Sequence, residues 1–149
     1  MWLLTEPEMA AAGRALAAVM RPGDVIALAG PLGAGKTTLV RGLLAALGHE
    51  GDVPSPTFAI VQPYEALRLP VHHADLYRIE DTAELEEIGL DDVLFDGALV
   101  VEWPEHAGPG AWPQALHLSL EVMPDGRRAL TWGLPETWEG RWPPPLPAS

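Results

Sequence analysis

The sequence predicts an α/β fold of the three-layer, P-loop NTPase-like type, with a mixed central sheet and a C-terminal antiparallel hairpin. Three observations predict it. An apolar run, Val25-Ile26-Ala27-Leu28-Ala29, enters a glycine loop, Gly30-Pro31-Leu32-Gly33-Ala34-Gly35-Lys36-Thr37, and the loop enters a segment with apolar residues at helical spacing. Strand and helix patterns alternate through the first half of the chain, the mark of a largely parallel sheet. The last third instead alternates apolar and polar residues on either side of Pro124-Asp125-Gly126, which reads as a hairpin with one dry face.

The elements follow in order. Thr5-Glu6-Pro7-Glu8 has the form of a capping box and opens an alanine-rich helix to about Met20, with Leu16, Val19 and Met20 as its buried stripe. Arg21-Pro22-Gly23-Asp24 turns the chain into the buried strand 25–29. After the glycine loop, Leu39, Val40, Leu43, Leu44 and Leu47 recur on one helical face, and Gly48 is the natural stop. Pro54-Ser55-Pro56-Thr57 breaks the pattern before a short strand, Phe58-Ala59-Ile60-Val61, which Pro63 confines to an edge or ends. Val71-His72-His73-Ala74 is a further strand ending at Asp75, and its adjacent histidines face opposite sides, so they do not jointly bind one metal.

Asp81-Thr82-Ala83-Glu84 caps a short acidic helix through Ile88, stopped by Gly89. Ala98-Leu99-Val100-Val101 is a strand ending in Glu102-Trp103-Pro104. The hairpin pairs 116–122 with 129–132. From Leu134 onward, Pro135, Trp138, Gly140, Trp142 and Pro143-Pro144-Pro145-Leu146-Pro147 predict no regular structure, and an extended or loosely held tail is expected.

The 149 residues carry a formal charge of −12, which disfavours direct binding to nucleic-acid phosphate. There is no cysteine, so disulfides, thiolate zinc sites and cysteine nucleophiles are excluded. The first residues do not form a signal peptide and no apolar run reaches membrane length, so a cytoplasmic protein is expected.

Of nine Lys and Arg side chains one is a lysine, Lys36, and it stands in the pattern G-x-x-x-x-G-K-[ST]. Glycines let backbone N–H groups converge on phosphates there, a compact ammonium fits between phosphate oxygens, and the Thr hydroxyl reaches Mg2+. Phosphoryl transfer also needs a carboxylate at a neighbouring strand end. Glu102 and Asp75 both qualify. Ser55-Pro56-Thr57 lies where nucleotide-dependent switches sit, or is a plain proline turn; Trp103 is a core or lid aromatic near the carboxyl end of its strand.

Gly33-Ala34-Gly35-Lys36-Thr37-Thr38, Ser55-Pro56-Thr57-Phe58, His73-Ala74-Asp75-Leu76-Tyr77-Arg78 and Glu102-Trp103-Pro104, in that order, resemble the TsaE (older name YjeE) family over about 5–131. Its members are small bacterial ATPases needed for the threonylcarbamoyladenosine modification of tRNA, working with TsaD and TsaB proteins. The resemblance implies that residues 1–134 are a P-loop ATPase domain and 135–149 a Trp- and Pro-rich tail without a family counterpart. It implies that Lys36 and the backbone of Leu32, Gly33, Ala34, Gly35, Thr37 and Thr38 bind ATP, that Thr37 and Glu102 ligate Mg2+, and that Asp75 is a second essential acid, in the magnesium shell or orienting water. Thr57 resembles the switch-like threonine. Pro31 departs from the aspartate usual in the family, removing one loop N–H while leaving those from Gly33 onward.

The TsaD and TsaB partnership, with tRNA met only indirectly, is likewise implied by the resemblance. Two rivals stand beside it: a small-molecule P-loop kinase and a non-catalytic nucleotide-gated module. Against the kinase, only Arg68 and Arg78 lie in the middle of the chain, and no arginine finger is evident near the motifs. A GTPase is disfavoured further, because no Asn-Lys-x-Asp guanine reader is possible when the one lysine is in the P-loop. Glu6 and Arg127 are expected near the base.

Overall fold

The computed structural model describes residues 1–31, 34–51, 53, 61–79, 83, 89–108 and 111–143. Seven strands form one mixed sheet: β1 (Trp2–Leu4), β2 (Val25–Ala29), β3 (Val61–Tyr64), β4 (Val71–Asp75), β5 (Ala98–Glu102), β6 (Leu116–Val122) and β7 (Arg128–Gly133), in the order β1-β7-β6-β2-β5-β4-β3. The central four, β6, β2, β5 and β4, are parallel; β7 and β3 run against their neighbours. Strand β2 lies between β5 and β6 and is buried on both faces, as its unbroken apolar run requires.

Alternation along β2 sorts the core into two layers. Ile26 and Leu28 face helices α1 (Glu6–Val19) and α2 (Lys36–Ala46), packing with Leu16, Leu39, Leu43 and Leu44. Val25 and Ala27 face the opposite side, where they meet Leu76, Leu90 and Leu99. The α1 capping box forms as the sequence predicts: the Glu8 N–H donates to Thr5 Oγ1 at 3.4 Å and the Thr5 N–H to Glu8 Oε1 at 2.9 Å. Leu16 on α1 and Met20, its C-cap, are buried as expected, but Val19 is only half-buried and alanines with Gly13 carry most of the helix's buried stripe. The reason is close approach. A Cβ on Gly13 would strike the Leu39 carbonyl oxygen, and one on Gly42 the Ala10 carbonyl oxygen, so two glycines let the helix backbones meet.

Helix α2 ends where Gly48, at φ +111°, turns left-handed, and the His49 N–H donates to the Leu44 carbonyl at 2.9 Å. Strand β3 is at the sheet edge as Pro63 demands, and it continues through Pro63 to Tyr64. The expected strand 58–61 lies outside the described residues except for Val61, which opens β3, and the expected capped helix from Asp81 through Ile88 falls largely outside them. Strand β1 was not anticipated: Trp2, Leu3 and Leu4 pair with Leu130, Ala129 and Arg128. Three residues are too few for periodicity to register.

The reading of 135–149 as a loose or extended tail is corrected for 135–143. A 3-10 turn, Glu136–Trp138, inserts Trp138 wholly into the core, and Trp142, 3% exposed, packs on Trp2 and Trp132 with ring centroids 5.2 and 5.5 Å away. Proline and glycine suppress long helices and strands, but two indoles supply enough apolar surface to hold an irregular segment in place.

Candidate functional site

The parallel strands end together on one side of the sheet, and a cleft of about 520 Å3 opens there. Its floor is the start of α2. Gly35 is the N-cap, at φ +100°, and gives no side-chain hydrogen bond to the first turn, which also carries no acid. Such a helix start turns its N–H groups and its positive dipole end outward, suited to an anion. Lys36, Thr37 and Thr38 line the cleft from the helix; Asp75 and Glu102 line it from β4 and β5.

Register explains why the two acids meet. Asp75 pairs with Glu102 across adjacent parallel strands, so both side chains emerge on the helix-bearing face. Glu102 is 5% exposed and Lys36 likewise 5%. The Lys36 ammonium donates to the Gly30 carbonyl at 2.8 Å and stands 3.7 Å from Glu102 Oε1. Asp75 is fixed differently: its Oδ1 accepts the Tyr77 N–H at 2.9 Å, an Asx turn that leads the chain out of the strand.

Trp103 forms the lid of the lysine, its ring centroid 4.6 Å from Nζ. Its backbone is left-handed (φ +58°, ψ +50°), the one non-glycine residue of positive φ among those described. Tyr77 and His106 flank the indole at 5.0 and 5.7 Å, and His106 Nδ1 donates to the Leu76 carbonyl at 2.8 Å. These contacts hold an otherwise costly backbone conformation in place.

The structure thus brings Lys36, Thr37, Thr38, Gly35, Asp75, Glu102 and Trp103 to one cleft. Ala34 is buried behind the loop; Leu32, Gly33 and Thr57 lie outside the described residues. Glu6 lines the cleft as expected, but Arg127 does not: it pairs on the surface with Asp125 at 2.8 Å, and its N–H and guanidinium hold that carboxyl below the usual aspartate range. Arg128 takes the place at the cleft, beside Met9 and Gly126, and donates to the Gly126 carbonyl. Arg78 lines the cleft too. No arginine finger was evident near the motifs in the sequence, and the structure places two arginines, Arg78 and Arg128, at the cleft. Sequence distance concealed Arg128, because only the placement of β6 beside β2 carries the hairpin tip to the carboxyl ends of the parallel strands. The role of His73, whose Nε2 lies 2.6 Å from Glu102 Oε2, was also missed.

Hard oxygen donors from Thr37, Asp75 and Glu102 suit a magnesium ion bound partly through phosphate. Among the described residues no group of three or more His, Asp and Glu side chains could hold a metal unaided.

The model of the family described as Threonylcarbamoyl adenosine biosynthesis protein TsaE matches residues 3–130. The chain belongs to the TsaE family. Its relatives include tRNA threonylcarbamoyladenosine biosynthesis protein TsaE of Haemophilus influenzae, 41% identical over 69% of this chain and 66% of that protein. The protein of the same name from Bacillus subtilis is 38% identical over 87% of this chain and 82% of its own length. That of Streptomyces coelicolor is 40% identical over 85% and 90%. The crystal structure of Bacillus subtilis YdiB superposes with a TM-score of 0.72 at 34% identity, covering 88% of this chain and 82% of that one. The TsaE family match ends at residue 130, so the stretch 131–143 that carries Trp138 and Trp142 lies beyond it.

Proposed function

We propose that this chain is a Mg2+-dependent ATPase that supports a TsaD–TsaB assembly in threonylcarbamoylation of adenosine in tRNA, in the cytoplasm. One observation carries the nucleotide reading: a lysine, a helix N-terminus without a side-chain cap, and two strand-end carboxylates converge on a single cleft. The family's part in tRNA threonylcarbamoyladenosine biosynthesis supplies the pathway. No helix among the described residues is long and apolar enough to cross a membrane.

In this reading the N–H groups at the start of α2 bind the phosphates and Lys36 neutralises them, leaving Glu102 and Gly30 to do so. Thr37 and Glu102 would hold magnesium, with Asp75 in its shell or orienting the attacking water. Magnesium when bound withdraws charge from the transferring phosphoryl group. Trp103 and Tyr77 limit water at the lysine.

Turnover by the chain alone is expected to be slow. Lys36 is engaged by Gly30 and Glu102, and Arg128 by the Gly126 carbonyl, so these two cations are not pre-aimed at developing charge. An acidic chain also docks readily on a basic protein face while repelling tRNA. The test is the ATPase rate against TsaD–TsaB concentration, with tRNA retention by filter binding at fixed salt. Slow intrinsic turnover, stimulation by the pair and no retention of tRNA support the proposal. Rapid turnover indifferent to partners, or tight tRNA binding by the isolated chain, overturns it. Phosphate transfer to a metabolite would instead mark a kinase, which Arg78 and Arg128 in the cleft would serve; binding without turnover in any mixture would mark a nucleotide-gated module.

A further inference from the structure

His73 sits on β4 two residues before Asp75 and is 1% exposed. In the sheet it is beside Val100 while Asp75 is beside Glu102, so its imidazole reaches diagonally across one step of the same face. Nε2 lies 2.6 Å from Glu102 Oε2. An ionised carboxylate only accepts, so in this pair the imidazole donates Nε2–H. The other carboxylate oxygen, Oε1, is the one turned to Lys36, 3.7 Å away.

Glu102 is therefore tethered at one oxygen and presents the other. A glutamate side chain has three rotatable bonds and would otherwise sample several positions over the start of α2. The ring's second nitrogen, Nδ1, is buried with no hydrogen-bond partner among the described residues. An apolar side chain of similar volume would fill the same space with no buried polar atom to satisfy. Packing alone does not account for an imidazole here; a directed N–H at Glu102 does.

We infer that His73 is a positioning residue: its Nε2–H fixes the Glu102 carboxylate so that Oε1 is the oxygen offered to a magnesium–nucleotide complex. The inference rests on the proposed nucleotide site. His73 touches neither nucleotide nor metal and acts only through Glu102, as partners of ligating carboxylates do.

The experiment compares the full chain with His73→Leu, which removes the donor, and His73→Gln, whose amide nitrogen reaches about as far as Nε2. ATP binding is followed by tryptophan fluorescence in EDTA and across a Mg2+ titration, with melting temperature measured for each protein. In the leucine variant the Mg2+ midpoint should rise about tenfold or more, with metal-free ATP affinity unchanged within about twofold; glutamine should restore the midpoint to within about threefold. If the leucine variant does not fold, His73→Asn, whose amide is too short to reach Oε2, takes its place. A wild-type midpoint in both donor-less variants overturns the inference while the nucleotide site stands. So does a parallel loss of metal-free affinity, Mg2+ response and melting temperature that glutamine fails to rescue, since that marks a role in packing only. A wild-type chain that binds no ATP overturns the proposed function and this inference with it.

Discussion

Arg141 grips Asp24 with both terminal guanidinium nitrogens, at 2.8 and 3.0 Å, across 117 residues of chain. The same guanidinium donates to the Val19 carbonyl at 2.9 Å and lies 4.1 Å from the centre of the Trp138 ring. Asp24, which also accepts the Arg21 N–H at 2.6 Å, is the residue from which β2 departs. The segment after β7 thus fastens the end of α1 to the start of the central strand.

Breaking a buried pair by removing one partner strands the other. Arg141→Met should lower stability by about 3 kcal/mol, and combining it with Asp24→Asn should cost less than the two changes summed. Urea unfolding of the four proteins checks this. Deleting 135–149 should prevent folding, because two tryptophan sites worth about 3–5 kcal/mol each approach the whole stability of a domain, about 5–15 kcal/mol.

Gly42→Ala sets two effects against each other. Alanine gains about 1 kcal/mol of helix propensity, but its methyl would press on the Ala10 carbonyl oxygen. Backbone does not yield as a side chain does, and overpacking costs about 1–3 kcal/mol. A net loss of about 1 kcal/mol or more is expected, read as a lower urea midpoint at unchanged slope.

Lys36→Arg should abolish ATP binding and turnover nearly as fully as Lys36→Ala. The ammonium is 5% exposed among Gly30, Glu102 and Trp103, and a planar fork does not fit where a point charge sits. Titration calorimetry with ATP and a phosphate-release assay give the comparison.

Glu102→Gln should weaken Mg2+-dependent binding about tenfold or more, since the amide keeps the shape but drops the charge. Asp75→Asn should reduce turnover more than affinity if its carboxylate orients water, and both equally if it ligates metal. Normal hydrolysis by both variants with partners present would remove these carboxylates from the mechanism.

Glu8 offers a pH test. Its carboxyl accepts the Thr5 N–H and hydroxyl contacts of the capping box, which lower its pKa. A carboxyl whose pKa is lower folded than unfolded adds stability above the unfolded value, and that contribution disappears as pH falls through the folded one. Melting temperature should therefore drop on acidification below the ordinary glutamate range, with a shallower drop in Glu8→Gln. Carboxyl NMR of Glu8 locates the midpoint.

Local chemistry wrote much of this fold plainly. The capping box, the apolar run of β2, Gly48 after α2 and the alternation of β6 act within a few residues, and each is where pattern places it. The cleft was legible as far as strand-end acids and a glycine loop mark it. Arg128 and the Glu102–His73 pair were not, because they depend on strand order and register. Trp138 was concealed for another reason: burial of an indole in an irregular segment leaves no periodic trace.

Strand β1 pairs with β7, and the Trp2 ring meets those of Trp132 and Trp142. The helix-side core therefore joins the beginning of the sequence to residues near 142, a topology of high contact order. During synthesis residues 2–4 emerge well ahead of β7 and Trp142, so this edge of the sheet stays open until those partners have followed.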